Sequence, residues 1–88
     1  MTKLKIVREG DPKPSLEEMQ AFVGGRIEIV RLSDGDHLVI NEEGLCEGLP
    51  VNFDATAVWW CDVGDDVVKE HGLPPLVGDV MLVHGGID

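Results

Sequence analysis

The sequence has no apolar run of membrane-spanning length, no signal-peptide pattern and only two cysteines. The first two absences argue against a membrane or secreted protein, and we expect the chain to act in the cytoplasm of a host cell. Cys46 and Cys61 have a spacing that fits neither a CxxC redox motif nor a zinc knuckle. Both thiols are therefore expected to be free, with Cys61 in the core and Cys46 in a polar loop.

Positive charge is scarce in most of the chain. The formal net charge is −10, and residues 32–88 carry only Lys69 against twelve carboxylates. Such a surface repels nucleic acids and anionic membranes, because phosphate binding needs clustered Lys and Arg. We therefore expect no direct nucleic-acid binding and no membrane binding. The charge suits a basic protein partner, cations or simple solubility.

Recognisable catalytic and metal-binding motifs are also missing. The sequence has no Ser-containing nucleophile elbow, no Walker loop and no GxGxxG. His37, His71 and His84 show neither HxxxH nor HxH spacing. The run from Asp34 to Asp36 lacks the further ligands of a calcium loop and is better explained as a hairpin turn. These absences predict a protein that is not an enzyme and that holds no metal or cofactor.

The chain has the length of one domain, residues 1–88. A core of this size is small, so a surface groove or a site shared across a dimer is a more realistic ligand site than an enclosed cavity. Residues 3–8 alternate polar and apolar and predict a half-buried strand. A helix is predicted to follow, because Ser15 and Glu18 have the spacing of a capping box and Gly24-Gly25 supplies a stop. Its apolar face should contain Leu16, Met19, Phe22 and Val23.

A β-hairpin is the second clear prediction. Residues 26–32 and 37–40 are apolar-rich segments on either side of Asp34-Gly35, which is a hairpin turn signal. Asn41 should end the second of these strands.

The second half of the chain predicts a helix over residues 55–61, with Asn52 or Asp54 as its cap. A strand remains the competing interpretation, because Val and Trp favour sheets. In such a helix, one face would contain Phe53, Ala57, Trp60 and Cys61. A further helical turn capped by Asp65 and a strand over residues 80–84 complete the series.

The resulting order is β-α-β-β-α-β. It predicts an α+β fold, a two-layer sandwich in which an antiparallel sheet of about four strands carries two helices on one face. The split βαβ arrangement has this order, but other small topologies share it.

The stretch from Asn41 to Thr56, NEEGLCEGLPVNFDAT, is the candidate site. It is a polar, glycine-containing segment between two apolar runs, and binding residues concentrate on such loops. The residues that we expect to contact a ligand or partner are Asn41, Glu42, Glu43, Asn52 and Thr56. The alternative is structural: the Asn side chains would form Asx turns or caps, and the Glu side chains would be solvated. If they bind a ligand, Asn52 and Thr56 at a helix end would suit a small anionic group.

Trp59 and Trp60 are adjacent, so in a helix their side chains point about 100° apart and cannot both lie fully in the core. One of them is a candidate anchor for a partner protein or for a homodimer contact, where Trp is enriched.

Several segments in order resemble a family of small phage, plasmid and actinobacterial proteins known only as a domain of unknown function. They are SLEEMQAFVGGRIEIV, LVINEEGLCEGLPVNFDATAV and VGDVMLVHG, which span roughly residues 14–85. The residues that match the family pattern are Asn41, Glu42, Glu43, Gly44, Leu49, Pro50, Asn52, Ala55, Thr56, Gly78 and Asp79. Met19 and residues 59–75 depart from it. The resemblance implies an accessory protein of a mobile element and supplies no catalytic residues.

Together these observations lead to the hypothesis of a non-enzymatic accessory protein of a phage or similar element that binds a protein partner or small ligand. The alternative is an acidic decoy that mimics nucleic acid and occupies a basic site on a host protein.

Overall fold

Four strands and three helices are found in residues 2–87, the part of the chain that the computed structural model describes. The strands are β1 (Leu4–Val7), β2 (Ile27–Arg31), β3 (His37–Asn41) and β4 (Val80–Val83), and the helices are α1 (Leu16–Val23), α2 (Phe53–Val63) and α3 (Asp65–His71). The predicted α+β class and the four-stranded sheet are confirmed. A third helix is present where the sequence predicted a helical turn.

The four strands form one mixed sheet in the order β1-β4-β3-β2. β2 and β4 each pair antiparallel with β3, but β1 pairs parallel with β4, from Leu4 opposite Val80 to Val7 opposite Val83. The prediction of an antiparallel sheet is therefore wrong at this one pairing. The parallel pair joins the two ends of the chain, and no local turn signal in the sequence specifies such a contact.

The helices cover opposite faces of the sheet. Met81 and Val83 pack in one core with Met19 and Val23 of α1. Val80 and Leu82 pack in the other core with Ala55 of α2. Since successive side chains of a strand point to opposite faces, α1 and α2 lie on different sides. The prediction of a two-layer sandwich with helices on one face is wrong. All four residues of β4 are buried, as expected for a strand that is covered on both faces.

α1 begins and ends as the sequence predicts. The Ser15 Oγ accepts a hydrogen bond from the Glu18 N–H at 3.1 Å, and the Glu18 carboxylate accepts one from the Ser15 N–H at 3.1 Å. The Ser15 N–H is the main reason that the pKa of Glu18 is lowered. Gly24 ends the helix with φ 86°, a left-handed conformation that favours glycine. The buried face is narrower than predicted, because Leu16 at the helix start is 55% exposed.

α2 is a helix and Asn52 is its cap, which settles the choice between helix and strand. The buried residues are Ala55 and Thr56, whereas Phe53 is 79% exposed and Cys61 is also exposed. The predicted apolar face is therefore wrong, as is the placement of Cys61 in the core. The physical reason is that Asn52 and Thr56 turn inward to make hydrogen bonds, which rotates Phe53 toward solvent.

α3 is a separate helix that begins at Asp65. The cap position is Gly64, with no side-chain cap, so the prediction that Asp65 caps this segment is wrong. Asp65 instead occupies the first turn, where a carboxylate interacts favourably with the positive end of the helix dipole. Gly72 ends the helix in a left-handed conformation.

The predicted hairpin turn at Asp34-Gly35 is confirmed. The next residue, Asp36, binds the segment that follows β4. The Asp36 carboxylate accepts a hydrogen bond from the Gly85 N–H at 2.8 Å and lies 2.8 Å from Nδ1 of His84. These contacts lower the pKa of Asp36 from its ordinary value of 3.8, and the Gly85 N–H contributes most. The ionised carboxylate therefore ties the hairpin to the end of β4.

We expect Asp36→Asn to lower the free energy of unfolding by about 1 kcal/mol near neutral pH, because a charge-assisted hydrogen bond becomes a neutral one. A carboxylate with a lowered pKa stabilises the folded state above its unfolded pKa, and this contribution disappears as the pH falls through the folded pKa. The difference between Asp36→Asn and the unsubstituted protein should therefore shrink below about pH 4. Urea unfolding of both proteins over a pH series measures this difference in the free energy of unfolding. A difference that stays constant at acid pH would contradict the assignment.

Leu38 and Leu16 provide a matched pair of tests for the core. Leu38 is fully buried in the α2-side core, and Leu38→Ala should cost about 2–5 kcal/mol because the cavity cannot be refilled. Leu16→Ala, the same change at an exposed site, should cost less than about 1 kcal/mol. Denaturant unfolding gives both values. Equal losses would show that the two sites are not buried as described.

Candidate functional site

The stretch from Asn41 to Thr56 links β3 to α2, and its first residue organises the turn that follows. The Asn41 side chain is buried, with 5% of the residue exposed. Its Nδ2 donates to the Val23 carbonyl and to the Glu47 carboxylate, both at 3.2 Å. Its Oδ1 accepts from the Glu43 N–H at 2.8 Å, which is an Asx turn. Asn41 thus joins the end of α1 to the turn after β3.

Asn52, at the other end of the stretch, is buried more completely and connects three segments. Its Oδ1 accepts from the Ala55 N–H at 3.0 Å, and this bond caps α2. Its Nδ2 donates to the carbonyls of Lys3 and Gly78, both at 2.9 Å. All the polar atoms of the side chain therefore have partners within the chain.

Thr56 completes the same junction. Its Oγ1 accepts from the Leu76 N–H at 2.9 Å and donates to the Leu76 carbonyl at 3.2 Å. The Asn52 N–H also donates to the Leu76 carbonyl, at 2.8 Å. Residues 73–79, which have no helix or strand before β4, are thereby pinned to the start of α2. Three of the five candidate residues, Asn41, Asn52 and Thr56, thus have structural roles in the chain itself.

The two candidate glutamates, Glu42 and Glu43, have exposed side chains. The Glu43 side chain lies in the turn, and only its backbone N–H is used by Asn41. The Glu42 side chain lines a cleft on the α2 side of the sheet. The structure therefore brings Asn41 and Glu42 together at this cleft, while Asn52 and Thr56 are not among its lining residues.

The cleft has a volume of about 180 Å³ and lies between the β2–β3 end of the sheet and the segment before β4. Its walls are mainly apolar, with Val30 and Ile40 from the sheet, Trp59 from α2 and Leu76 from the segment before β4. Leu45 stands at its edge and is 59% exposed. The remaining lining residues are Glu28, Asn41, Glu42, Pro74, Pro75 and Val77. The cleft is thus an apolar recess with carboxylates at its rim.

The segment that supplies Glu42, Leu45 and Trp59 to the cleft is acidic. Residues 42–72, which contain the turn, α2 and α3, hold eight carboxylates against one lysine, Lys69. The carboxylates are Glu42, Glu43, Glu47, Asp54, Asp62, Asp65, Asp66 and Glu70. Like charges at this density raise the local affinity for a cationic partner.

The two tryptophans have different roles, as their spacing on a helix requires. Trp59 packs against the α2-side core and also lines the cleft. Trp60 is half-buried, and its Nε1 is buried with no hydrogen-bond partner in residues 2–87. Trp59 is therefore the tryptophan that contributes to the candidate site.

Sequence reasoning missed most of the cleft. Glu28, Val30 and Ile40 belong to the predicted hairpin, and their side chains were given no role beyond the sheet. Leu45 and the Pro74-Pro75 pair were available signals, because an apolar residue within a polar loop and a rigid proline pair both shape surfaces. Only the fold brings these distant segments together.

Membrane-spanning helices, metal-binding clusters and disulfides are not found in residues 2–87. No helix in residues 2–87 has the length and apolar character needed to cross a bilayer. Within the same range, no group of three or more His, Cys, Asp or Glu side chains is arranged to hold a metal ion. Both cysteines are free and exposed.

Comparison with known families gives one match. The family described as "Domain of unknown function (DUF3846)" matches residues 2–87, almost the whole chain. The chain belongs to the DUF3846 family. No curated protein and no solved structure matches it.

Membership in DUF3846 confirms the resemblance to a small family of unknown function. The phage, plasmid or actinobacterial source and the individual motif positions stay predictions. In this DUF3846 chain the densest part of the proposed pattern, residues 41–56, contains the two buried asparagines that hold the fold together.

Asn52 is expected to be essential for stability. Asn52→Ala should lower the free energy of unfolding by about 2–4 kcal/mol, because it removes the helix cap and leaves the buried Gly78 carbonyl without its donor. The Lys3 carbonyl would keep only its bond from the Val80 N–H. In a chain of this size the melting temperature should fall by about 10–20 °C. Circular dichroism during heating gives this value.

Two further variants test the contact assignment. Asn52→Asp keeps the acceptor for Ala55 but directs a carboxylate oxygen at the carbonyls of Lys3 and Gly78, so it should destabilise at least as much as Asn52→Ala. Glu43→Ala removes an exposed side chain and should change stability by less than about 0.5 kcal/mol. A tolerated Asn52→Asp would show that the two donor bonds are not important.

Proposed function

We propose that this DUF3846 protein is a non-enzymatic accessory protein of a phage or similar mobile element, acting in the host cytoplasm by binding a basic protein segment. The cleft would hold one apolar side chain of that segment, and the carboxylates would attract its positive charges. The observation that carries the proposal is the combination of apolar walls from Val30, Ile40 and Trp59 with a rim that contains Glu28 and Glu42.

The size of the cleft favours a protein segment over a small ligand. Sites for drug-sized molecules have volumes of about 300–1,000 Å³. A recess of about 180 Å³ is below that range and suits a single apolar side chain. Protein interfaces commonly use such an arrangement, in which one anchor side chain fills a pocket and polar contacts surround it.

The charge of the surface favours a basic partner. Glu28 and Glu42 are both exposed, and neither side chain forms a salt bridge in residues 2–87. Their negative charge is therefore available to a partner. Charge complementarity of this kind raises the association rate and excludes acidic partners more than it raises affinity.

Ser15, Ser33 and His84, which have side chains that could act in catalysis, are engaged elsewhere. The Ser15 Oγ caps α1, and the Ser33 Oγ donates to the Asp62 carboxylate at 2.6 Å. His84 pairs with Asp36, and neither residue lines the cleft. This arrangement provides no nucleophile beside a base in the cleft, which supports a binding role.

A short lysine-rich peptide with one central leucine is the probe for this proposal. Backbone amide chemical shifts should change mainly at residues that line the cleft when the peptide is titrated. Replacing the leucine by serine should weaken binding about tenfold or more, because the apolar contact is lost. Glu42→Lys should weaken binding of the leucine peptide about fivefold through charge reversal at the rim.

Asp66→Lys is the matched control, because Asp66 is exposed on α3, does not line the cleft and undergoes the same change in charge. It should weaken binding less than Glu42→Lys does. Unfolding curves confirm that both variants remain folded. Equal binding of the leucine and serine peptides would contradict an apolar anchor in the cleft.

The second candidate function is the acidic decoy, and the observation that favours it is the eight carboxylates of residues 42–72. A decoy would present charge over the whole surface of α2 and α3 instead of using one recess. In the same titration, it would bind both peptides equally, and Asp66→Lys would weaken binding as much as Glu42→Lys. Its binding would also fall steeply with added salt.

A further inference from the structure

The outer edge of β1 has free backbone groups. Within residues 2–87, β1 lies at one side of the sheet and pairs only with β4. The Val80 N–H donates to the Lys3 carbonyl and the His84 N–H donates to the Val7 carbonyl. In a parallel ladder alternate residues face the same neighbour, so the backbone groups of Leu4 and Ile6 point away from β4. Within residues 2–87, the N–H and carbonyl of Ile6 have no hydrogen-bond partner.

The backbone groups of Arg8, the next residue along this edge, already have hydrogen-bond partners in a turn. The Arg8 N–H donates to the Asp11 carboxylate at 3.0 Å, and the Arg8 carbonyl accepts from the Asp11 N–H at 3.1 Å. The free edge is therefore limited to Leu4 and Ile6. The Ile6 side chain is itself 48% exposed, which is unusual for a large apolar residue in a strand.

An open groove of about 620 Å³ runs beside this edge. Its walls include Lys5 and Ile6 of β1, Pro12 and Pro14 of the following loop, and Phe22 of α1. The Lys5 ammonium lies 5.9 Å from the centre of the Phe22 ring, close enough for a cation–π contact. The edge thus presents free backbone groups next to a partly apolar depression.

The charge of this region suits a second copy of the same chain. Residues 1–18 hold four positive and four negative side chains, in contrast to the strongly acidic remainder. They are Lys3, Lys5, Arg8 and Lys13 against Glu9, Asp11, Glu17 and Glu18. A two-fold interface brings the same patch of both copies together, so a patch with both signs can complement itself. A chain of net charge −10 can approach its own copy there with the least repulsion.

The other sheet edge is less suitable. β2 is also an edge strand. It has Arg26 and Arg31 at its ends, but it contributes Glu28 to the cleft rim and lies beside the acidic segment that begins at Glu42. Pairing two copies through β2 would bring these acidic regions close together, which opposes association.

We propose that the β1 edge is an interface between two copies of this chain, in which the two β1 strands pair antiparallel and extend the sheet across a two-fold axis. The free backbone groups of Ile6 form hydrogen bonds with the second copy, and the exposed Ile6 side chain is covered. Because the free edge is short, the dimer is weak and depends on protein concentration.

Sedimentation at increasing protein concentration tests this interface. The average mass of the unsubstituted protein should rise toward that of a dimer, and Ile6→Lys should raise the dimer dissociation constant about tenfold by placing a charge at the edge. Val67→Lys is the matched control, because Val67 is an exposed apolar residue of α3 and gives the same change in net charge. It should not weaken the dimer.

Hydrogen exchange in the unsubstituted protein provides a second measurement that needs no variant. The Ile6 amide should become more protected as the protein concentration rises, whereas the Ile29 amide on the opposite edge strand should not change. A mass that remains monomeric at all concentrations, equal effects of Ile6→Lys and Val67→Lys, or protection at Ile29 instead of Ile6 would overturn the proposal.

Discussion

The hydrogen bonds of the Asn52 side chain are the contacts on which the rest of this structure depends. One carboxamide caps α2, holds the carbonyl that precedes β1 and holds the carbonyl of Gly78 before β4. The parallel β1–β4 pair therefore begins at a point fixed by Asn52. The same contacts set the rotation of α2, since Asn52, Thr56 and Trp59 share one side of the helix. Trp59 is placed against the sheet as a result, and it becomes a wall of the cleft.

The hydrogen bonds of two buried polar side chains, Asn52 and Thr56, therefore determine how the mainly apolar cleft is formed. Burying Asn52 and Thr56 without partners would cost several kcal/mol, so their bonds to the backbone fix the geometry with little tolerance. An apolar side chain in their place could pack at several rotations of α2. The hydrogen bonds remove that freedom, and Phe53 is left almost fully exposed as a consequence.

The parts of this fold that the sequence predicts are those with local causes. The Ser15–Glu18 capping box, the stop at Gly24, the turn at Asp34-Gly35 and the Asn52 cap each involve residues within a few positions of one another. Chain-local signals of this kind are readable because the partner is nearby in sequence.

The features that the sequence does not predict depend on distant contacts. The parallel β1–β4 pairing joins residues at the two ends of the chain, and the opposite placement of α1 and α2 follows from the burial of β4 on both faces. For α2, apolar spacing favoured the face that contains Phe53, whereas the actual buried face is set by the bonds of Thr56 to Leu76. In the candidate stretch, the asparagines hold the fold together, and of the five candidate residues Asn41 and Glu42 line the cleft.

The positions of the cleft and the β1 edge make the two proposals compatible. The sheet order β1-β4-β3-β2 puts β1 at one side, while Glu28 and Val30 of β2 bring the cleft to the other. A dimer formed through β1 would leave both clefts uncovered and directed away from the two-fold axis. Two identical clefts on one particle bind a partner with two basic segments more tightly than one cleft does, because the second contact forms at a high effective concentration. Weak binding in the cleft and weak dimerisation would then reinforce each other, since a partner that bridges both clefts also stabilises the dimer.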